Sequence, residues 1–269
     1  MSRRRFMGSI EYTLTVYTTS GASVVVNGVN QTANSSGYAY YKLKKGTYSY
    51  SASKSGYTSR SGSVTVTMNQ TLSIILSPSS MLLLHFDGNL ADASGNSSMS
   101  SADPQYVSGK FGQAFRFNST GSNSVQGVIE YIGTSDFTID FWIYRYQSVE
   151  YQKYAETGND GTTGAFNIDA SSSGRNLRFY TIKSGRIVNI TASSTLATST
   201  WIHVAIVRSS NNWYMFINGS LVKDYYQSGV TLSATTLTLR PAYTAIDEFR
   251  ITKTALWTSD FTPPTSPYT

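Results

Sequence analysis

The 269-residue chain has no cysteine. That excludes a disulfide scaffold, a thiolate metal site and a cysteine nucleophile, so the fold must rest on its core alone. Charge is scarce, with Lys, Arg, Asp and Glu together at 13%. No apolar run approaches the ~18 residues of a membrane span, and membrane insertion is not expected. The basic start, Met1-Ser-Arg-Arg-Arg-Phe-Met-Gly8, lacks the apolar segment of a secretory signal, so no signal peptide is expected. No Gly-rich phosphate loop and no Gly-x-Ser-x-Gly elbow occurs. Histidine appears twice, as His85 and His203. Each lies inside an apolar strand pattern, where a structural hydrogen-bonded role is expected.

What is present is the vocabulary of strands and turns: 20 Tyr and 21 Gly among many Ser, Thr and Asn, with few helix formers. Aromatic and β-branched residues are too plentiful for disorder. The formal net charge is +6. Apart from Arg3, Arg4, Arg5 and the group Lys42, Lys44, Lys45, the cations are scattered. They read as solvated strand faces and edge guards, not as a nucleic-acid surface. Asn-x-Ser/Thr triplets at Asn30, Asn69 and Asn189 are expected by chance in so Ser/Thr-rich a chain and are not read as glycosylated.

Residues 1–9 form a basic arm, either a disordered terminus or a docking peptide for a larger assembly. Residues 10–77 read as a small sandwich. Glu11–Tyr17 alternates strictly, Asn27-Gly28 is a hairpin signal, and Asn34–Gly37 and Ser55–Tyr57 are turns. Six or seven short strands with turns every ~8–12 residues indicate an Ig-like β-sandwich. Residues 78–80 are a short linker. Residues 81–269 form a larger unit opened by the apolar run Met81–Phe86, which emerges into a polar loop holding Asp87, Asn89, Asp92 and Asn96. Phe137–Tyr144 is bulky on both faces, which suggests a central strand covered on both sides. A turn is expected at Lys183–Arg186, a single helical turn at Lys253–Trp257, and an extended tail from Phe261.

Two resemblances follow from these residues. Val24-Val-Val-Asn-Gly28, Leu43-Lys-Lys-Gly-Thr-Tyr-Ser-Tyr50, Lys54-Ser-Gly-Tyr57 and Gly62-Ser-Val-Thr-Val66 resemble a PEGA domain, one of the carboxypeptidase-regulatory-like sandwiches. That resemblance implies a surface or assembly module without catalytic residues. In the larger unit, Leu84-His-Phe-Asp-Gly88, Asp92-Ala-Ser-Gly-Asn96, Lys110–Phe117, Phe137–Ile143, Trp201–Arg208, Phe216-Ile-Asn-Gly219 and Ile246–Lys253 together resemble the laminin-G-like members of the concanavalin-A-like jelly rolls. The ending Ala255-Leu-Trp-Thr-Ser-Asp-Phe-Thr-Pro-Pro264 resembles versions carried by bacteriophage structural proteins. The expected fold is therefore all-β: an Ig-like sandwich followed by a jelly roll.

The chemistry points to binding. Glycoside hydrolysis needs two carboxylates at a set separation, and none of Glu11, Glu130, Glu150, Glu156 and Glu248 has an acid at i, i+2. Asp247 and Glu248 are adjacent and so point to opposite faces of a strand. The jelly-roll resemblance implies a structural Ca²⁺ tying the first strand's exit to the last strand, with Asp87 and Asp247 in the matching positions. The alternative makes Asp87 and Asp92 turn residues and pairs Asp247 with an Arg. Glycan recognition would use Tyr144, Tyr146, Tyr151, Tyr154, Trp213, Tyr225 and Tyr226 at strand ends and loops, unless these rings only pack across strands. The expected function is a non-enzymatic phage virion accessory protein, a head or tail fibre or decoration protein located in the virion. Arg3, Arg4, Arg5 and the first unit attach to capsid or tail proteins, and the jelly roll contacts a host-surface glycan. A bacterial surface carbohydrate-binding module or adhesin is the alternative, and a glycoside hydrolase the third reading. A homo-oligomer is compatible with a fibre role, and no heptad repeat enforces one.

Overall fold

The computed structural model describes residues 10–118, 123–159, 161–171, 176–182 and 186–269. Arg3, Arg4 and Arg5, and the expected turn's residues 183–185, lie outside the described residues. The chain divides into two compact units, Met1–Pro78 and Ser79–Thr269. Both are built of strands, and no helix occurs among the described residues.

The first unit has strands β1 (Glu11–Thr18), β2 (Ser23–Val26), β3 (Val29–Thr32), β4 (Tyr38–Lys44), β5 (Gly46–Ser53), β6 (Arg60–Val66) and β7 (Gln70–Ile74). They form a three-stranded sheet, β4-β1-β7, and a four-stranded sheet, β3-β2-β5-β6. The alternation of β1 and β4 decides the core. Leu14, Val16, Ala39, Tyr41 and Leu43 point inward against Val24, Val26 and Val66. Each Val or Leu so buried stabilises the sandwich by about 1.5–3 kcal/mol. The Tyr41 hydroxyl donates to the Val24 carbonyl at 2.7 Å, tying one sheet to the other.

The second unit continues with β8 (Ser80–Leu84), β9 (Met99–Ser100), β10 (Tyr106–Ser108), β11 (Gln113–Phe117), β12 (Val125–Val128), β13 (Phe137–Arg145), β14 (Lys153–Thr157) and β15 (Phe166–Ala170). It closes with β16 (Asn176–Ile182), β17 (Arg186–Thr195), β18 (Trp201–Ser209), β19 (Asn212–Ile217), β20 (Ser220–Tyr226), β21 (Thr236–Leu239) and β22 (Thr244–Thr252). One sheet runs β10-β11-β22-β13-β18-β19-β20, with β8 also on β22. The other runs β17-β16-β15-β14-β21-β12-β9. Their inner faces bury one apolar core, from Leu82 and Phe115 through Phe141 and Phe179 to Trp213 and Phe249.

The first strand pairs with the last. Leu82, Leu83 and Leu84 of β8 lie opposite Ile251, Arg250 and Phe249. The other half of β22, Thr244–Ile246, pairs with β11 instead. Between the halves the register with β13 shifts, and Glu248 takes a left-handed φ of 52°. The extra residue makes a bulge at Asp247-Glu248. The strict two-face alternation expected there therefore does not hold, and both carboxylates are buried.

β13 is central and covered on both faces. Its outer cover is the tail, which is irregular from Lys253 onward and makes no helical turn at Lys253–Trp257. Trp257 and Phe261 stack in parallel at 3.8 Å and pack on Ala205, Val207 and Phe216. Tyr268 joins Leu83 and Trp142, and its hydroxyl lies 2.9 Å from His203 Nε2. Beneath the tail Arg250 pairs with Asp140, with Nε–Oδ1 at 3.0 Å and Nη2–Oδ2 at 2.9 Å. Burial works against the charge of Asp140, but Arg250 and His203 together outweigh it and hold the carboxyl below its ordinary range.

Candidate functional site

Two crossover loops frame one end of the jelly roll. Residues 146–152 carry the chain from β13 to β14, and residues 240–243 carry it from β21 to β22. The loops are tied together. The Tyr146 amide donates to the Tyr243 carbonyl at 2.8 Å. The buried Gln152 amide donates to the Ala242 carbonyl and, at 2.9 Å, to Thr244 Oγ1. Buried Arg145 donates to Ser148 Oγ at 3.0 Å and to the Leu196 carbonyl. Polar side chains thus anchor both loops.

Between the loops lies an open cavity of about 360 Å³ lined by Val149, Glu150, Tyr151, Gln152, Lys153, Arg240 and Ala242. Its two cations are fixed on one buried carboxylate. Lys153 Nζ and Arg240 Nε each lie 2.6 Å from Glu156. Tyr151 is 65% exposed and holds a left-handed φ of 53°. The cavity offers guanidinium and ammonium donors beside an exposed ring, the set that pairs hydroxyls and stacks on sugar C–H faces.

Beyond the same end an aromatic row crosses the first sheet. Tyr144 lies directly opposite Trp201, with centroids 5.6 Å apart. Tyr146 follows at 4.8 Å from Tyr144. The Arg116 guanidinium stacks 3.4 Å above the Tyr146 ring. A cation on that face holds the ring in place, and Tyr146 stays 38% exposed.

The structure thus brings together Tyr144, Tyr146 and Tyr151 around one end of the jelly roll. It does not bring in the other rings. Tyr154 is fully buried between the sheets, and burial pushes its hydroxyl up to about 12. Trp213 is fully buried between Phe137 and Phe179 and donates to the Gln227 carbonyl. Both are corrections: these residues build the core and cannot stack on a ligand. Tyr225 and Tyr226 are exposed, but on β20, the far edge strand of the first sheet. Trp201, Arg116, Lys153, Glu156 and Arg240 were not among the expected site residues. Trp201 had a signal in sequence, as the ring opening a strand pattern. The others become visible only through strand register and loop packing.

The acids expected to hold calcium grip a loop. Asp247 Oδ2 accepts the Phe111 amide at 2.9 Å, and Asp87 Oδ1 accepts the Gln113 amide at 2.6 Å. A Cβ at Gly109 would lie 2.7 Å from Asp247 Oδ2, and one at Gly112 would collide with Asp87 Oδ1, so glycine is needed at both positions. Asp92 accepts the amides of Leu83, Ser94, Asn96 and Ser97, as a turn residue does. Asp247 Oδ1 is buried with no partner. Burial, partly offset by the Phe111 amide, raises the Asp247 carboxyl to about 7. Burial also raises Glu248, which His85 Nδ1 contacts at 2.8 Å and the Tyr268 amide at 2.7 Å. Among the described residues no three acids or histidines converge as a metal cluster. A calcium ion here would have Asp247 Oδ1 as its open carboxylate donor and would take most of its six to eight oxygens from carbonyls and water.

Residues 117–260 match the concanavalin A-like lectin/glucanases superfamily. The chain belongs to that superfamily. Residues 11–79 match the PEGA domain, so the chain joins a PEGA domain to a superfamily jelly roll. No curated protein matches the chain. Among solved structures, the binding domain of Paraclostridial Mosquitocidal Protein 1 is similar at 21% identity and a TM-score of 0.57, over 66% of this chain and 50% of that one. Domain 4 of AbnA, a GH43 extracellular arabinanase from Geobacillus stearothermophilus solved with arabinotriose, is similar at 16% and 0.55, over 66% and 94%. A botulinum neurotoxin type C structure, from work on cell entry through two ganglioside molecules, is similar at 19% and 0.55, over 66% and 49%. This chain thus spans about half the length of the toxin domains. At these identities the likeness is one of fold.

Proposed function

We propose that the jelly roll is a non-catalytic glycan-binding module. Its ligand lies in the cavity between the loops 146–152 and 240–243 and reaches the aromatic row at Tyr146. The observation that carries this reading is the pairing of an open cavity, with Lys153 and Arg240 fixed on Glu156, and exposed rings at Tyr151 and Tyr146. A similar fold that was solved with arabinotriose adds support. Against hydrolysis, the raised carboxyls Asp247 and Glu248 are buried away from solvent. Glu156 is committed to two cations. Glycan-array binding of the full chain, followed by calorimetry on Tyr146→Ala and Tyr151→Ala, tests the site. Undiminished binding by both variants refutes it, and release of reducing ends from a bound glycan refutes the non-catalytic part.

The same reading places the protein on a phage virion, with the arm at Arg3–Arg5 and the PEGA domain on the particle and the jelly roll facing the host. The order of the two modules and the ending Ala255–Pro264 support this placement. Absence from purified particles, or unchanged incorporation after deletion of residues 1–9, removes it. A structural calcium at Asp247, with Asp87 as second ligand, is a separate proposal. The open Oδ1 supports it, and the loop amides facing both carboxylates weigh against it.

A further inference from the structure

The PEGA domain carries a surface that the jelly-roll reading does not use. On the outer face of its three-stranded sheet, Tyr17 lies opposite Tyr38, Thr15 opposite Tyr40, Thr13 opposite Lys42 and Glu11 opposite Lys44. The three rings form a continuous exposed row. Tyr17 and Tyr38 are 5.1 Å apart, and Tyr38 and Tyr40 are 6.3 Å apart and near parallel at 20°. They are 40%, 36% and 51% exposed. The row is built in place. Asn34 Oδ1 accepts the amides of Ser36 and Tyr38, and Gly37, at φ 83°, leaves no side chain to collide with the Thr18 carbonyl and crowd the Tyr17 ring. Thr71 and Ser73 of β7 continue the face beside Thr15 and Tyr17.

Charge runs along the same strand. Lys42, Lys44 and Lys45 follow the rings, and residues 10–78 hold five cations against one acid, Glu11. Lys42 Nζ donates to Thr13 Oγ1 at 2.7 Å, which positions the ammonium and leaves two of its three protons to give. Rings spaced at about one pyranose repeat, then hydroxyls, then ammonium groups suit a sugar chain bearing carboxylates. C–H faces stack on the tyrosines, and acid groups meet the lysines.

We propose that this face of the PEGA domain binds a glycan chain carrying uronate carboxylates, as a second site independent of the one in the jelly roll. Immobilised polygalacturonate probes it, with dextran as the neutral control and the full chain as analyte. The expected result is binding to polygalacturonate and not to dextran. The double variant Tyr38→Ala/Tyr40→Ala should weaken it about tenfold, the loss of roughly 1.4 kcal/mol. Tyr38→Phe/Tyr40→Phe should retain binding, because the rings remain. Lys42→Gln/Lys44→Gln should weaken it about threefold at low salt and little at high salt. Tyr226→Ala, at an exposed ring on the far edge strand of the jelly roll and outside both sites, should leave it unchanged. Absence of binding, equal binding of dextran, or indifference to the tyrosine double variant overturns the proposal. A dimer that the tyrosine double variant abolishes, without polygalacturonate binding, assigns the face to a second copy and overturns it as well.

Discussion

In the PEGA domain the one buried polar side chain among the described residues is Thr18, whereas the jelly roll buries Asp140, Glu156, Asp247, Glu248, Arg208 and Arg250 among others. Net charge divides the other way. Eight of the 21 Lys and Arg and one of the 15 acids precede residue 79, which leaves thirteen cations against fourteen acids in the jelly roll. The small sandwich keeps charge outside and fills itself with Val, Leu and Tyr. The large one has more interior than apolar side chains alone organise, and it uses ion pairs to fix its tail and loops. Stability should therefore depend on pH in one unit and barely in the other, and scanning calorimetry of the two transitions can separate them.

The largest expected effect is from Asp140→Ala. It leaves Arg250 buried and unpaired, and the jelly-roll transition should fall by about 3–5 kcal/mol while the PEGA transition stays. Because the folded Asp140 carboxyl lies below its ordinary 3.8, its contribution is present above that pH and is lost as pH falls through the lower value. Asp247 has the opposite sign. With its carboxyl raised to about 7, the stability it confers is full at low pH and fades as pH rises through about 7. Asp247→Asn should stabilise the jelly roll by about 2 kcal/mol at pH ~8 and flatten its decline with pH. An unchanged pH profile breaks the contrast between the units.

Smaller effects sharpen it. Gly37→Ala should cost the PEGA transition about 1–2 kcal/mol, through the left-handed φ and the collision with Thr18, and leave the jelly roll untouched. Tyr151→Ala should lower glycan affinity by about 1 kcal/mol without moving either transition, read by calorimetry. Millimolar calcium should give the smallest effect. A rise in the jelly-roll transition that Asp247→Asn removes supports the ion, and no rise leaves Asp87 and Asp247 as anchors of the loop at Gly109–Gln113.

The same contrast governs what was legible in sequence. In β4, and in β1 as far as Tyr17, each inward residue is apolar or Tyr and each outward one polar or Tyr, so period two reads the PEGA sheet almost directly, with buried Thr18 as its exception. In β19, Trp213 and Tyr214 are both aromatic, so composition cannot tell which enters the core, and Trp213 does. Tyr154 fails in the same way, because the register of β14 against β15 shifts beside it. The pairings Tyr144 with Trp201 and Arg116 with Tyr146 join segments far apart in sequence, as does Glu156 with Arg240. The tail read as an extended appendage because its prolines hide its role. Its rings at Trp257, Phe261 and Tyr268 seal the outer face of the first sheet.

The pairing of β8 with β22 also sets an order of events. Every strand contact of the PEGA domain closes within its own residues, so that domain can finish while most of the jelly roll is still being made. The strand Met81–Leu84 is synthesised next and waits for Phe249–Ile251, nearly a whole domain later. Until then four consecutive apolar residues and an open strand edge remain unsatisfied. A chain cut short before β22 would therefore display a finished head and a sticky, unpaired strand. Its fate should be aggregation, not partial function.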